Sequence, residues 1–369
     1  MESKSAKPII LVTGSTGLIG TRVMKAFSSD FEVVGLDLKR PETTVPGTRF
    51  VDCDLTNDES VNRALDVVRD NHGDRLASVI HLAAYYDFSG KPSDMYRKLT
   101  VEGTFRLLRK LREFQTEQFV FSSSLLVMEP VEDEKVITEF SALEDEPWDY
   151  PRSKIEAEKL IRQERGDIST VILRIAGVYD GDCHSIPLAQ HISRIYEKTL
   201  ESYFFPGDSD HGQPFIHLDD LIPCFMRVVE LRSALKNEIF LIAEPDVMSY
   251  AELQDQLGEL IHGKEWPTIR IPKVIAKAGA WAQEKIAGEE ETFIKPWMVD
   301  LADAHYPVAI GHAGERLGWN PTHRLRDTLP EMIGRLKENP RKWYEINGLP
   351  WPEDKDEEKE SKASSKASA

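Results

Sequence analysis

Tyr150 and Lys154 stand four residues apart in Tyr150-Pro151-Arg152-Ser153-Lys154, at the head of the helix-like run IEAEKLI. That spacing places both side chains on one helix face. An ammonium beside a phenol favours the phenolate and so lowers the tyrosine pKa. The expected chemistry is proton donation and acceptance by Tyr150 near neutral pH. A surface Tyr and Lys would show the same spacing, so the segments that precede the pair decide its meaning.

The first of these is Thr13-Gly14-Ser15-Thr16-Gly17-Leu18-Ile19-Gly20, between a short apolar run and a helix pattern. Glycines suit a tight turn with positive φ, a close approach of backbone to a pyrophosphate and close helix–strand packing. The helix that follows offers free N–H groups and a positive dipole end to phosphates. Asp37 ends the next strand, in VVGLDLKR. A carboxylate about 20 residues past such glycines bonds the ribose 2′-OH of NAD. It would repel a 2′-phosphate, which favours NAD, while Arg40 leaves NADP open. Asp54 and Leu55 follow the third strand, and Leu82, Ala83 and Ala84 follow His81 at the end of the fourth. Small residues there let a cofactor lie against the backbone. Ser122, Ser123 and Ser124 end the fifth strand, where a hydroxyl could bond a reacting carbonyl or alcohol.

The elements that must position these residues alternate. Strands are expected at Ile9–Val12, Phe31–Leu36, Arg49–Val51, Leu76–Ala83, Gln118–Phe121 and Thr170–Leu173. Helices are expected at Leu18–Phe27, Ser60–Asn71 (capped by Asn57 or Asp58), Met95–Phe114 and from Tyr150 onward. This order predicts an α/β fold with a doubly wound parallel sheet. The second half is less regular. Helices are expected at Ile186–Tyr196, Leu218–Leu231, Tyr250–Ile261 and Leu325–Lys337, with strands at Phe215–His217, Glu238–Ile242 and Thr268–Ile271. It reads as a smaller mixed lobe built by insertions after the sheet. Val274, Ile275, Ala278, Trp281, Ala282 and Ile286 recur at helical spacing. A helix over 271–286 packed on that lobe is favoured over a lid or membrane-surface helix, because an apolar stripe is the ordinary mark of a globular helix.

The chain has 369 residues, 41% of them hydrophobic and 30% charged, which fits a globular protein with ample core. A formal net charge of −17 argues against binding nucleic acid or anionic membranes. Cys53, Cys183 and Cys224 are scattered, with neither metal-ligand spacing nor a disulfide framework, so no metal is expected and a reducing, cytoplasmic setting is. No run approaches the roughly 20 apolar residues of a membrane span. From Glu353 on, the composition is that of a disordered tail, so 353–369 is expected to stand apart from the fold.

Taken together, TGSTGLIG, Asp37, the Asp54-Leu55 pair, HLAA, FSSS, YPRSK, LRIAGVY at Leu173–Tyr179, FIHLDD at Phe215–Asp220 and LGWNP at Leu317–Pro321 resemble the extended short-chain dehydrogenase/reductase superfamily, in its NAD-dependent epimerase/dehydratase branch. The resemblance runs from about Pro8 to about Tyr344. It implies a Rossmann-type NAD-binding domain over 8–180 with the catalytic Ser, Tyr and Lys. It also implies a substrate lobe over 181–345, some segments of which return to the first domain. It makes Tyr150 the acid/base, Lys154 the ligand of the nicotinamide ribose and Ser124 the substrate-polarising hydroxyl, with Ser123 as the neighbour that would serve if the alignment slips by one. It further implies a homodimer through the helices flanking the site.

The departures narrow the expectation. Thr100 stands where relatives commonly carry Asn in an N-V-x-G-T segment. Ser124 is followed by Leu125 and Leu126, where the sugar-nucleotide 4,6-dehydratases have an Asp-Glu pair. Gln213-Pro214 replaces an Arg-Asp that holds a sugar-nucleotide pyrophosphate, and Ile175-Ala176-Gly177 lacks an Asn after the sixth strand. Tyr85, Tyr86, Asp87 and Phe88, with Leu125, Leu126 and Met128, are expected either to wall an apolar pocket or to pack the lobes. Tyr179 and His184 could approach the substrate, and His217 is expected to be structural. The leading expectation is hydride transfer at a carbonyl or secondary alcohol of a small, fairly apolar molecule. A nucleotide-sugar epimerase/dehydratase and a non-catalytic NAD-binding regulator are the alternatives.

Overall fold

The computed structural model describes residues 7–87, 92–145, 147–278, 299 and 302–352. Phe88, the part of the expected helix 271–286 beyond residue 278 and the tail 353–369 lie outside them. The chain divides into two compact units, 1–176 with 218–245 and 307–322, and 177–217 with 246–306 and 323–369.

The first unit is built on a sheet whose strands are β1 (Ile9–Thr13), β2 (Glu32–Asp37), β3 (Thr48–Asp52), β4 (Arg75–His81), β5 (Gln115–Thr116), β6 (Gln118–Ser124) and β7 (Ser169–Ile175). Glu238–Ile242 joins at the far edge, giving the order Glu238–Ile242, β7, β6, β4, β1, β2, β3, with β5 beside β4. Every pairing is parallel. Helices α1 (Leu18–Phe27), α2 (Asp58–His72), α3 (Glu102–Leu111) and α4 (Asp149–Glu164) make the crossovers. This is the expected doubly wound sheet. β1 and β7 are wholly buried, as strands covered on both faces must be. Leu11, Val34, Leu65, Val79, Leu108 and Phe121 form part of one core on one side of the sheet. Asn57 caps α2, its side-chain oxygen accepting the Ser60 N–H at 2.9 Å.

Two expectations are corrected here. Glu238–Ile242 is an edge strand of the main sheet, paired with β7 from Glu238 opposite Val171 to Ile242 opposite Ile175. A five-residue strand carries no mark of which sheet it joins; the parallel partner decides that. The single long helix expected over Met95–Phe114 is a π-helix at Tyr96–Val101 followed by α3. Wide turns of this kind gather at functional sites, and the periodicity of apolar residues barely registers one.

Within the same unit, the Asp220 carboxylate accepts the Thr322 N–H at 2.9 Å and the Asp220 carbonyl accepts the Trp319 indole N–H at 2.8 Å. FIHLDD and LGWNP are thus joined through Asp220 and Trp319.

The second unit packs α5 (Ile186–Glu197), α6 (Tyr250–His262) and the helices Leu325–Glu338 and Pro340–Ile346 around Leu188, Ile192, Leu257, Leu329, Met332 and Trp343. Two small parallel pairs complete it, Gly177–Tyr179 with Phe215–His217 and Phe204–Pro206 with Ile269–Ile271. α6 opens on a reciprocal capping box of Ser249 and Glu252. Residues 273–278 are helical, with Val274 and Ile275 exposed.

Candidate active site

The turn after β1 has the form a phosphate cradle requires. Gly14 takes φ +68°, and a Cβ there would lie 2.9 Å from the Ala83 nitrogen. A Cβ on Gly20 would lie 2.0 Å from the Gly14 carbonyl oxygen, so α1 can begin this close to the turn only without a side chain. Gly17 is the N-cap of α1, and neither a capping side chain nor an acidic residue occupies the first turn. The amides of Leu18, Ile19 and Gly20 therefore keep their capacity to bind an anion. At the end of β2, the Asp37 carboxylate accepts the Thr16 N–H at 3.0 Å and the Leu38 N–H at 2.8 Å. It also accepts the Lys39 N–H at 3.4 Å; two carboxylate oxygens offer about four acceptor positions, so capacity for one ribose hydroxyl remains. These residues fit a dinucleotide.

Asp54 serves its own loop, its carboxylate accepting the Thr56 N–H at 2.8 Å and hydroxyl at 2.7 Å. Leu55 is buried, and Gly103 of α3 passes so near it that a Cβ would meet the Leu55 Cβ and carbonyl oxygen at 3.2 Å.

Beneath Leu82, Ala83 and Ala84 runs a chain of buried hydrogen bonds whose direction can be read. The Thr104 hydroxyl donates to the Thr100 carbonyl at 2.6 Å, so it must accept from His81 Nε2, 2.9 Å away. His81 therefore carries its proton on Nε2, and Nδ1 accepts from the Thr13 hydroxyl at 2.6 Å. Thr13 in turn accepts the Ala83 N–H at 3.3 Å. The Thr100 hydroxyl accepts the Tyr85 N–H at 3.1 Å, so the residue in the place of the usual Asn anchors the aromatic loop. Burial, reinforced by Lys154, pushes the His81 pKa down to about 3 and keeps the ring neutral.

At the ends of β6 and α4 the structure brings Ser124, Tyr150 and Lys154 together. The Ser124 oxygen accepts the Leu126 N–H at 3.2 Å, and Ser124 lies close enough to Tyr150 to favour its ionised form. The Lys154 ammonium lies 5.8 Å from the centre of the Tyr150 ring and 5.0 Å from that of Phe121, and donates to the Ser122 carbonyl at 2.6 Å. Tyr86 meets the Tyr150 ring edge-on at 5.1 Å and Trp148 lies 5.5 Å from it. Tyr85 packs edge-on against Tyr96 at 4.8 Å. Leu125 and Met128 are buried, while Tyr86 stays half-exposed.

The expected lowering of the tyrosine pKa is corrected. Burial raises Tyr150 to about 12, opposed by the nearby Ser124 hydroxyl and reinforced by Tyr96. Burial also pulls Lys154 down to about 7 against the pull of Glu158. The low-dielectric surroundings penalise both charged forms, and a lysine that titrates near neutrality offers the phenolate little positive charge. Spacing alone shows that two groups are near each other; it cannot show how dry they are.

Tyr179 and His184 lie in the second unit. Tyr179 is fully buried, edge-on to His217 at 5.1 Å. His184 has φ +46° and its Nδ1 lies 2.8 Å from the Asp180 carboxylate, so it braces a turn. His217 stacks on His323 at 4.1 Å.

The residues missed by sequence reasoning are Trp148, Glu158 and Arg174. Glu158 is wholly buried, accepting from Ser123 at 2.6 Å, from Arg174 at 3.1 and 2.8 Å and from Arg162 at 3.1 Å. Its place one turn beyond Lys154 was the available signal. Arg174 lies in LRIAGVY, whose register opposite Ser123 only the sheet reveals.

The profile of the NAD dependent epimerase/dehydratase family matches residues 10–243. A UDP-glucose 4-epimerase of Vibrio cholerae is 27% identical over 333 residues, 86% of this chain and 92% of that protein. A decarboxylating sterol-4-alpha-carboxylate 3-dehydrogenase of Candida albicans is 27% identical over 361 residues, 89% of this chain and 98% of that protein. Among solved structures, the UDP-glucose 4-epimerase of Thermus thermophilus in complex with NAD aligns with a TM-score of 0.65 at 18% identity, covering 90% of this chain and 99% of that one.

Proposed function

The chain belongs to the NAD dependent epimerase/dehydratase family, and from that premise we propose that it transfers hydride between NAD and a carbonyl or secondary alcohol of a small, fairly apolar substrate. The carrying observation is the joined constellation of Ser124, Tyr150 and Lys154, with the Tyr86 and Trp148 rings set around the phenol. NAD, when bound, supplies the hydride-accepting carbon. Gly14, Thr16, Gly17, Leu18, Ile19 and Gly20 hold its pyrophosphate; Asp37 takes the adenosine ribose, and Asp54, Leu55, Leu82, Ala83 and Ala84 border it. Asp37 favours NAD over NADP.

Tyr150 moves the proton of the reacting oxygen. Burial keeps it a phenol, the form that donates to a carbonyl under reduction. To act as a base it would need positive charge beside it, which Lys154 in its ammonium form would supply. Ser124 holds the reacting oxygen near Tyr150, its hydroxyl proton being free to donate because its oxygen accepts the Leu126 N–H. Tyr85, Tyr86 and Leu125 line the apolar approach. A sterol-4-alpha-carboxylate 3-dehydrogenase of Candida albicans, at the same 27% identity as the Vibrio cholerae epimerase, supports an apolar substrate.

Nucleotide-sugar epimerisation is the second reading, favoured by that epimerase. Purified protein offered NAD with a panel of hydroxysteroids, aliphatic secondary alcohols and UDP-sugars separates the two. Growth of the reduced-nicotinamide absorbance with an apolar alcohol supports redox turnover; isomerisation of a UDP-sugar without net reduction overturns it. A cytoplasmic location and a homodimer are part of the same proposal. Among the described residues no helix is long and apolar enough to cross a membrane.

A further inference from the structure

Tyr86 and Trp148 reach the Tyr150 ring from two separate elements. Tyr86 comes from the loop after β4 and meets the phenol edge-on, with ring centres 5.1 Å apart and planes at 75°. Trp148 comes from the segment before α4, its ring centre 5.5 Å away and its plane tilted by 34°. The chain around each ring is pinned. The Tyr85 N–H donates to the Thr100 hydroxyl at 3.1 Å, and the Tyr85 hydroxyl lies 3.3 Å from the Asp87 carboxylate. The Tyr96 hydroxyl donates to the Asp87 carbonyl at 2.6 Å, so Tyr86 sits between two anchored residues. Arg152 donates to the Pro147 carbonyl at 2.6 Å and to the Asp149 carboxylate at 2.9 Å, which fixes the chain on both sides of Trp148.

Neither ring belongs fully to the core. Tyr86 is 50% exposed, and Trp148 is only partly buried. Trp148 is also the N-cap of α4, and its side chain makes no capping hydrogen bond. That position favours Ser, Thr, Asp or Asn, whose oxygen binds a free N–H of the first turn. Two large rings left partly outside the core, one of them in place of a cap, depart from local preference, and such departures gather at functional sites. Held rings of this kind offer a large contact area at low conformational-entropy cost.

What they can receive follows from their position. Under the hydride-transfer reading, the substrate oxygen bonds Tyr150 and Ser124. The carbons beside that oxygen then come against the rings that touch the phenol. A flat apolar ring meets aromatic faces and edges with its own geometry already set. An open chain must lose torsional freedom to make the same contact.

We propose that Tyr86 and Trp148 are specificity-determining residues, an aromatic flank to Tyr150 that selects a secondary alcohol or ketone carried on a flat apolar ring. This rests on the hydride-transfer reading and narrows its substrate class.

The test uses the full chain with NAD. It compares kcat/KM for trans-decalol, a flat fused-ring alcohol, with that for an open-chain secondary alcohol of equal carbon number. The wild-type protein is expected to favour the ring alcohol about tenfold or more. Tyr86→Leu and Trp148→Leu keep apolar bulk and lose the ring. Each should reduce that ratio about three- to tenfold, the range an aromatic contact supplies, with the loss carried by KM. Tyr86→Phe and Trp148→Phe keep a ring and should retain most of the preference. A wild-type ratio near one overturns the proposal. So do folded leucine variants that leave the ratio in place, or phenylalanine variants that lose it as fully as the leucine ones. If a leucine variant does not fold, the wild-type ratio decides alone. Alcohol oxidation without ring preference overturns this inference and leaves the hydride-transfer reading standing. Isomerisation of a UDP-sugar with oxidation of neither alcohol overturns both.

Discussion

The Ser124 oxygen accepts the Leu126 N–H at 3.2 Å and so caps the 3-10 turn Leu125–Val127 that follows it, beside Tyr150. Its hydroxyl proton is left to serve another acceptor. Ser124→Ala removes that donor together with the cap on the Leu126 N–H. We expect kcat to fall about 100-fold and Tyr150→Phe to lower it by about 100- to 10,000-fold, the usual range for a positioned proton-transfer group. Both variants should bind NAD as before, which fluorescence titration checks. A Tyr150→Phe variant with undiminished turnover would overturn the assignment.

Gly20 and Gly17 should respond differently to the same change. A Cβ at Gly20 collides with the Gly14 oxygen at 2.0 Å, whereas one at Gly17 meets it at an ordinary 3.5 Å. Gly20→Ala should cost about 1–3 kcal/mol through forced backbone movement and weaken NAD binding. Gly17→Ala should leave the melting temperature nearly unchanged. Calorimetry on the two variants checks the contrast.

Asp37 carries the cofactor preference in this reading. Asp37→Ala should weaken NAD binding about tenfold or more, since a hydrogen bond to a charged group contributes about 1.5–3 kcal/mol. Binding of NADP should weaken less or improve, because the repelling carboxylate is gone. Parallel titrations with the two dinucleotides measure the ratio, and an unchanged ratio would contradict the role.

His81 and His191 make stability depend on pH. Burial lowers both from 6.5 to about 3. A histidine held neutral in the folded chain contributes its full stability above its unfolded pKa. That contribution declines as pH falls from about 6.5 towards 3, because the unfolded chain takes up the proton first. At pH 5 each should already have lost about 2 kcal/mol relative to neutral pH. Urea unfolding at pH 5 and pH 7 measures the sum, and His81→Gln should show a shallower acid slope. Equal stability at the two pH values would contradict the burial of both rings as neutral groups.

Much of the molecule was legible in the residues. The helix Leu18–Phe27 and the strands Phe215–His217 and Glu238–Ile242 lie where apolar periodicity and turn residues place them, since both are properties of neighbours in the chain. TGSTGLIG and Asp37 were legible because a glycine turn and a strand end are also local. The partner of Glu238–Ile242 was not, because a short apolar strand fits any sheet edge until a neighbour is supplied. The π-turn at Tyr96–Val101 escaped because one wide turn scarcely alters the spacing of a helix.

What the residues by themselves determined is the inventory and its order: a glycine cradle, an acidic strand end, a serine run and a Tyr–Lys turn along alternating strands and helices. Tertiary structure decided the electrostatics. Burial sets Tyr150 at about 12 and Lys154 at about 7. Behind Lys154 it places Glu158 from its own helix and, on Glu158, Arg174 from the adjacent strand. Proximity of two groups on one helix follows from the helical repeat. Their dryness and their more distant counter-charges depend on which strands and side chains the fold packs around them, and only the folded chain brings those together.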